Sequence, residues 1–145
     1  MACLPANEKQ AYRASLESDA LHVLSGIVVH GCGLGHTVGM PTANLRVNTN
    51  DVIPAHGVYA TVAQVGNAFY KAVTSVGHRP SVNAEDVTIE TLIIDFDTDI
   101  YGESLTVYFY DYIRQIADMG SLEAVRKQVD KDCARACLCL REIIG

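Results

Sequence analysis

Charge is scarce in this chain: charged residues make up 19% of its 145 positions, against about 25% in an average soluble domain. What charge there is leans acidic, with 17 Asp and Glu against 11 Lys and Arg and a formal net charge of -6. No Lys/Arg cluster runs longer than Arg126-Lys127, and neutralising a nucleic-acid backbone takes a basic stripe, so no nucleic-acid partner is expected. Uninterrupted apolar runs of the ~18 residues that a membrane span needs are also lacking. The N-terminus brings Glu8, Lys9, Arg13, Glu17 and Asp19 in quick succession instead of the basic-then-apolar layout of a signal peptide. A cytoplasmic protein without membrane association is expected. Cysteine is sparse and odd in number, five in all, with Cys3 and Cys32 isolated and Cys133, Cys137 and Cys139 crowded together. No even disulfide framework fits that count, which points to reduced thiols.

Apolar residues, at 49%, are plentiful, and a chain of this length buries a sizeable core as one compact domain. Between Asn7 and Ala20, Ala11, Tyr12 and Leu16 recur at helical spacing, which predicts a short amphipathic helix. From His22 onward, short runs of Val, Ile, Thr and Tyr alternate with Gly, Asn, Asp and Pro, which is the texture of an all-β core. Strands are predicted near 22–30, 57–65, 68–76, 87–96 and 104–113, the second and third joined by a tight turn at Gly66-Asn67. Residues 78–86 read as a longer polar loop. After Gly120, Ser121 caps a predicted helix whose positions Leu122, Val125, Val129, Cys133, Ala136, Cys137, Leu140 and Ile144 follow i, i+3/i+4 spacing. The fold expected from these elements is mainly β, a closed or nearly closed antiparallel barrel carrying a long C-terminal helix and a short N-terminal one. Residues 1–20 are expected to form a helical extension or linker remnant and 21–145 the barrel domain, as a monomer.

Three features carry possible chemistry. Gly31-Cys32-Gly33-Leu34-Gly35-His36-Thr37-Val38-Gly39 follows the first strand, and a glycine-rich loop there can turn its N–H groups toward an anion. It fits neither the dinucleotide fingerprint nor the Walker A pattern, and a plain glycine-rich turn is the alternative. Next comes Pro41-Thr42-Ala43-Asn44. If extended, it puts the Thr42 and Asn44 side-chain oxygens on one side, where a hard cation such as Mg²⁺ could use them together with nucleotide phosphates; a turn that caps the loop is the alternative. Third, strand alternation places Glu90 on the face of Leu92, Ile94 and Phe96. A carboxylate aimed along an apolar face suits a general base, or else pairs with a neighbouring Arg. The cysteines on the last helix read as packing residues, and Tyr108, Tyr110 and Tyr112 as a stripe beneath that helix.

The glycine loop, Pro-Thr-Ala-Asn, Gly57-Val58-Tyr59-Ala60, Val76-Gly77-His78-Arg79-Pro80, Ile89-Glu90-Thr91 and Asp99-Ile100-Tyr101-Gly102 occur in the order they take in the riboflavin kinase family. The chain resembles that family over roughly Ser25 to Ala136. The resemblance implies a closed six-stranded antiparallel β-barrel with a C-terminal helix, and transfer of the γ-phosphate of ATP to the ribityl 5′-hydroxyl of riboflavin, giving FMN and ADP. It implies ATP-phosphate binding by Gly31, Gly33, Gly35, Thr37 and Gly39, Mg²⁺ at Thr42 and Asn44, Glu90 as catalytic base, and Arg114 in a flap closing over the flavin. Leu92 stands where the family often has His, and Leu34 or His36 where it often has Arg. A flavin- or nucleotide-binding module without turnover is the alternative. FAD synthesis is not expected of the chain.

Overall fold

The computed structural model describes residues 19–29, 42–47, 51–78, 87–117 and 119–144. Six strands, β1 (His22–Val29), β2 (Ala43–Arg46), β3 (Gly57–Val65), β4 (Ala68–His78), β5 (Val87–Ile93) and β6 (Ser104–Arg114), are followed by one helix, α1 (Leu122–Cys139). The strands close into a barrel in the order β1-β2-β5-β4-β3-β6, and every neighbouring pair is antiparallel.

Alternation along the strands builds two cores. Leu24, Leu45, Tyr59, Ile89, Val107 and Phe109 pack inside the barrel. On the other face Val58, Val62, Phe69, Val73 and Tyr108 pack with Ala136, Leu140 and Ile144 of the C-terminal segment. Strand β3 lies between the two, which is why Val58-Tyr59-Ala60-Thr61-Val62-Ala63 is buried on both faces and reads as a nearly continuous apolar run. The β3–β4 hairpin turns at Gly66-Asn67 as expected, with Val65 paired to Ala68 and Gly66 at φ 58°. Ser121 caps α1 by accepting the Ala124 N–H at 3.1 Å.

Several sequence expectations need correction. Residues 43–46 form a strand that their composition does not announce. Strand β5 stops at Ile93 rather than residue 96, because Asp95 takes φ 57° and turns the chain. As a result Phe96 leaves the face of Glu90 and packs against the barrel interior. Tyr108 and Tyr110 do lie under the helix, but the register shift between Ala60 and Thr61 in the β3–β6 ladder sends Tyr112 to the other face, where its ring meets Tyr59 edge-on at 5.3 Å. Leu122, expected on the apolar stripe of α1, is 47% exposed, whereas Asp132 is buried at 2%. The helix expected over 7–20 falls outside the described residues except for its last two.

Candidate functional site

Strand β2 is only four residues long, yet it carries Asn44 and fixes Thr42, the residue just before it. Ala43 and Leu45 point into the barrel core, so alternation turns Thr42 and Asn44 to the outer face. There β2 pairs with β5, and Asn44 stands opposite Glu90 in the ladder. The Thr42 hydroxyl donates to Glu90 Oε1 at 2.5 Å. Thr42, Asn44 and Glu90, distant in sequence, thus converge on one seam of the barrel, and among the described residues Glu90 has no cationic partner.

The position of β5 is itself secured from within. Thr61, Thr74 and Thr91, all fully buried, link their hydroxyls across β3, β4 and β5 at 2.9 Å each. Hydroxyls that satisfy one another in an apolar interior fix the register of three strands, because a slip by one residue would leave buried polar groups unpaired. Thr91 is the immediate neighbour of Glu90, so this ladder holds the carboxylate at its height on the barrel.

Two clefts open on either side of the seam. The first, about 190 Å³, lies between the barrel and α1; Val58, Val73, Leu92, Val125 and Val129 give it apolar walls, and Thr42, Ser75, Glu90, Arg114 and Asp132 add polar groups. The second, about 350 Å³, lies against the β5–β6 connection and is lined by Val28, Ala43, Thr91, Phe96 and the 97–101 segment. Thr42 lines both clefts, so the Thr42–Glu90 hydrogen bond stands where they meet.

Arg114 is the last residue of β6, and two contacts fix it in the wall of the first cleft. Its guanidinium forms a fork on Asp132, Nε to Oδ1 at 3.0 Å and Nη2 to Oδ2 at 2.8 Å, and its Nη1 donates to the Gln115 carbonyl at 3.1 Å. Gln128 adds a hydrogen bond to Asp132 Oδ1 at 3.0 Å. Sequence reasoning singled out neither Asp132 nor Gln128, nor the threonine ladder. An aspartate at a core position of an amphipathic helix, level with an arginine ending a strand, is the signal that could have shown the pair. Nearby, burial, followed by the charges of Asp132, Cys137, Asp130 and Asp95, pushes the Cys133 thiol up to about 11. It stays protonated at neutral pH, consistent with a packing role. The remaining expected site residues, Gly31, Gly33, Gly35, Thr37 and Gly39, lie outside the described residues.

The donor set at the seam fits a hard divalent cation. The only proton of the Thr42 hydroxyl goes to Glu90, which leaves its lone pairs available. Asn44 offers an amide carbonyl oxygen beside it, and neutral oxygens that leave room for waters and phosphates are what Mg²⁺ accepts. No helix among the described residues is long and apolar enough to cross a membrane.

The family described as flavokinase, riboflavin kinase, matches residues 19–140. A bifunctional riboflavin kinase/FMN adenylyltransferase of Bacillus subtilis (strain 168) is 32% identical over 114 residues, covering 77% of this chain and 36% of that protein. An RNA-binding riboflavin kinase, RibR, of the same organism is 35% identical over 125 residues, covering 85% of this chain and 53% of its own length. The chain therefore spans about a third to a half of these curated relatives. A crystal structure of a macrolide-efflux protein from Streptococcus pneumoniae superposes with a TM-score of 0.73 at 32% identity, over 88% of this chain and 44% of that one. A riboflavin kinase from Trypanosoma brucei shares the fold with a TM-score of 0.61 at 23% identity, over 82% of this chain and 79% of its own. With most of the barrel and its helix inside the family match, and with Thr42, Asn44 and Glu90 brought together on one seam, the chain belongs to the riboflavin kinase family.

Proposed function

We propose that this chain transfers the γ-phosphate of ATP to the ribityl 5′-hydroxyl of riboflavin, releasing FMN and ADP. The observation that carries this reading is the meeting of an apolar cleft and a second cleft at Thr42 and Glu90. The tricyclic ring of riboflavin is assigned to the first cleft, between the valines of β3, β4 and α1, with Arg114 offering N–H donors to its carbonyl edge. Its ribityl tail then runs toward Glu90. The nucleotide is assigned to the second cleft. Asp97 and Asp99 also line it and repel phosphates, so the triphosphate is assigned to the Thr42 side, and the same reading gives Gly31, Gly33, Gly35, Thr37 and Gly39, which lie outside the described residues, the role of binding it.

Glu90 Oε1 already accepts the Thr42 proton, which orients the carboxylate and leaves Oε2 to take the proton of the 5′-hydroxyl as it attacks. Thr42 and Asn44 hold Mg²⁺. When bound, the ion supplies the charge compensation for the phosphoryl oxygens that this acidic chain, short of cations, does not. The same reading takes residues 21–145 as the working unit, a monomeric cytoplasmic kinase domain acting on small molecules. The purified chain incubated with riboflavin and Mg-ATP is expected to yield FMN, resolved from riboflavin by chromatography, and to stop doing so in excess chelator. Riboflavin bound but never phosphorylated would replace this reading with a binding module on the same barrel.

A further inference from the structure

The Arg114–Asp132 pair is more elaborate than the fold requires. Asp132 is 2% exposed and the Arg114 side chain 24%. A buried ion pair contributes little net stability over apolar side chains of similar size, so attaching α1 to the barrel does not by itself account for it. Attachment is in any case served by Ala136, Leu140 and Ile144, which pack the later part of the C-terminal segment onto the outer core. The pair stands where that packing gives way to the first cleft, whose α1 wall is Val125 and Val129.

The hydrogen-bond geometry shows what the pair accomplishes. All of the contacts to Asp132 lie on one side of the guanidinium: Nε reaches both carboxylate oxygens and Nη2 reaches Oδ2. Gln128 takes a further site on Oδ1, so the carboxylate is itself held in orientation. Of the five N–H donors of Arg114, one on Nε, one on Nη2 and one on Nη1 are engaged by Asp132 and the Gln115 carbonyl. One N–H on each Nη has no acceptor among the described residues, and Arg114 lines the cleft. A fork locked on one edge offers its other donors in a fixed plane, which an unattached arginine would have to reach at a cost in side-chain entropy.

We infer that Asp132, steadied by Gln128, is a positioning residue for flavin binding: it fixes the Arg114 guanidinium so that its two remaining donors meet the carbonyl edge of the ring in the first cleft. This rests on the assignment of riboflavin to that cleft and adds to it two residues on α1 that never touch the substrate. Their effect belongs in riboflavin affinity and not in the phosphoryl step, because two strands separate Arg114 from Glu90: Arg114 pairs with Val58 of β3, Val58 with Ser75 of β4, and Ser75 with Glu90.

A double-mutant cycle tests it, with riboflavin affinity read from fluorescence quenching and with kcat, KM and melting temperature measured on the same preparations. Asp132→Asn keeps the shape but frees the guanidinium, and is expected to weaken riboflavin binding about tenfold or more, with a parallel rise in KM and kcat within about threefold. In an Arg114→Met background the same substitution is expected to change affinity by less than about twofold, since there is no guanidinium left to place. An unchanged affinity for Asp132→Asn, or an equal loss in both backgrounds, overturns the inference, the latter showing a merely structural strut. Should Asp132→Asn melt below the assay temperature, half-buried Gln128→Ala decides: weaker binding at an unchanged melting temperature is expected, and unchanged binding refutes. Wild-type protein that binds no riboflavin would overturn the cleft assignment together with this inference, whereas normal wild-type binding with an indifferent Asp132 overturns only the latter.

Discussion

Gly26 offers the sharpest way to ask whether the short strand β2 holds the site. It sits in β1, and a Cβ built on it would stand 2.0 Å from the Arg46 carbonyl oxygen of β2 and 3.2 Å from Leu45 Cδ1. Real Cβ atoms essentially never come closer than 3.0 Å. In Gly26→Ala the two strands must therefore separate by about 1 Å, and a backbone carbonyl, unlike a side-chain tip, cannot swing aside. Overpacking of this kind costs about 1–3 kcal/mol, and with backbone against it the upper half of that range applies. For a domain of this size that is a fall of roughly 5–10 °C in melting temperature. Strand β2 ends at Arg46, only two residues after Asn44 and four after Thr42, so the displacement is passed directly to the seam with Glu90. A misplacement of about 1 Å in a reacting geometry is worth on the order of 10²-fold in rate.

The assay is FMN formation per folded molecule, beside thermal melts of the same protein. Gly66→Ala is the control: Gly66 has φ 58° with nothing within 4 Å of an added Cβ, so it should lose about 1 kcal/mol through backbone strain and keep its turnover. If Gly26→Ala is destabilised yet turns over at the wild-type rate, β2 does not position the site and the reasoning fails.

Thr42→Val and Asn44→Ala remove the proposed cation ligands without touching the inward pattern of β2, and each is expected to fold normally while needing much higher Mg²⁺ for turnover; near-normal rates at low Mg²⁺ would reduce the stretch to a turn. The Cys133 thiol, pushed up to about 11 from an ordinary value of 9.0, should resist alkylation at pH 8, as followed by mass spectrometry on the native protein. Because the folded state holds that proton more tightly than the unfolded one, its contribution to stability is present below pH about 9 and declines as the pH rises toward 11. Rapid alkylation of native Cys133 at pH 8 would contradict this.

The parts of the fold legible in the sequence are those where local chemistry and global packing agree. Val65-Gly66-Asn67-Ala68 sets a turn between two apolar runs, and β3 and β4 follow at once. Ser121 before an apolar helical spacing announces α1. Strand β2 was not legible as a strand, since four residues with a single bulky apolar side chain give no period to count; its role as a hydrogen-bonded partner of both β1 and β5 is a tertiary fact. The displaced Tyr112 and the departure of Phe96 share a cause. A bulge or a single positive φ shifts alternation by one residue and leaves no mark in composition. At the site, Thr42, Asn44 and Glu90 could be singled out by residue type, but the hydrogen bond joining Thr42 to Glu90 needs the β2–β5 pairing. Asp132 was hidden for the opposite reason: on an amphipathic helix an aspartate reads as a solvent-facing residue until a strand-end arginine is seen to face it.

The most direct test of the account is the single-turnover rate of Glu90→Gln, measured with riboflavin affinity and thermal melts on one preparation. The amide keeps the shape and still accepts the Thr42 hydrogen bond, but it cannot take the ribityl proton. The expected result is a stable protein that binds riboflavin as wild type does and transfers phosphate about 10²–10⁴-fold more slowly. A Glu90→Gln protein that is destabilised but fully active would show Glu90 to be a structural strand residue and would contradict its role as the base.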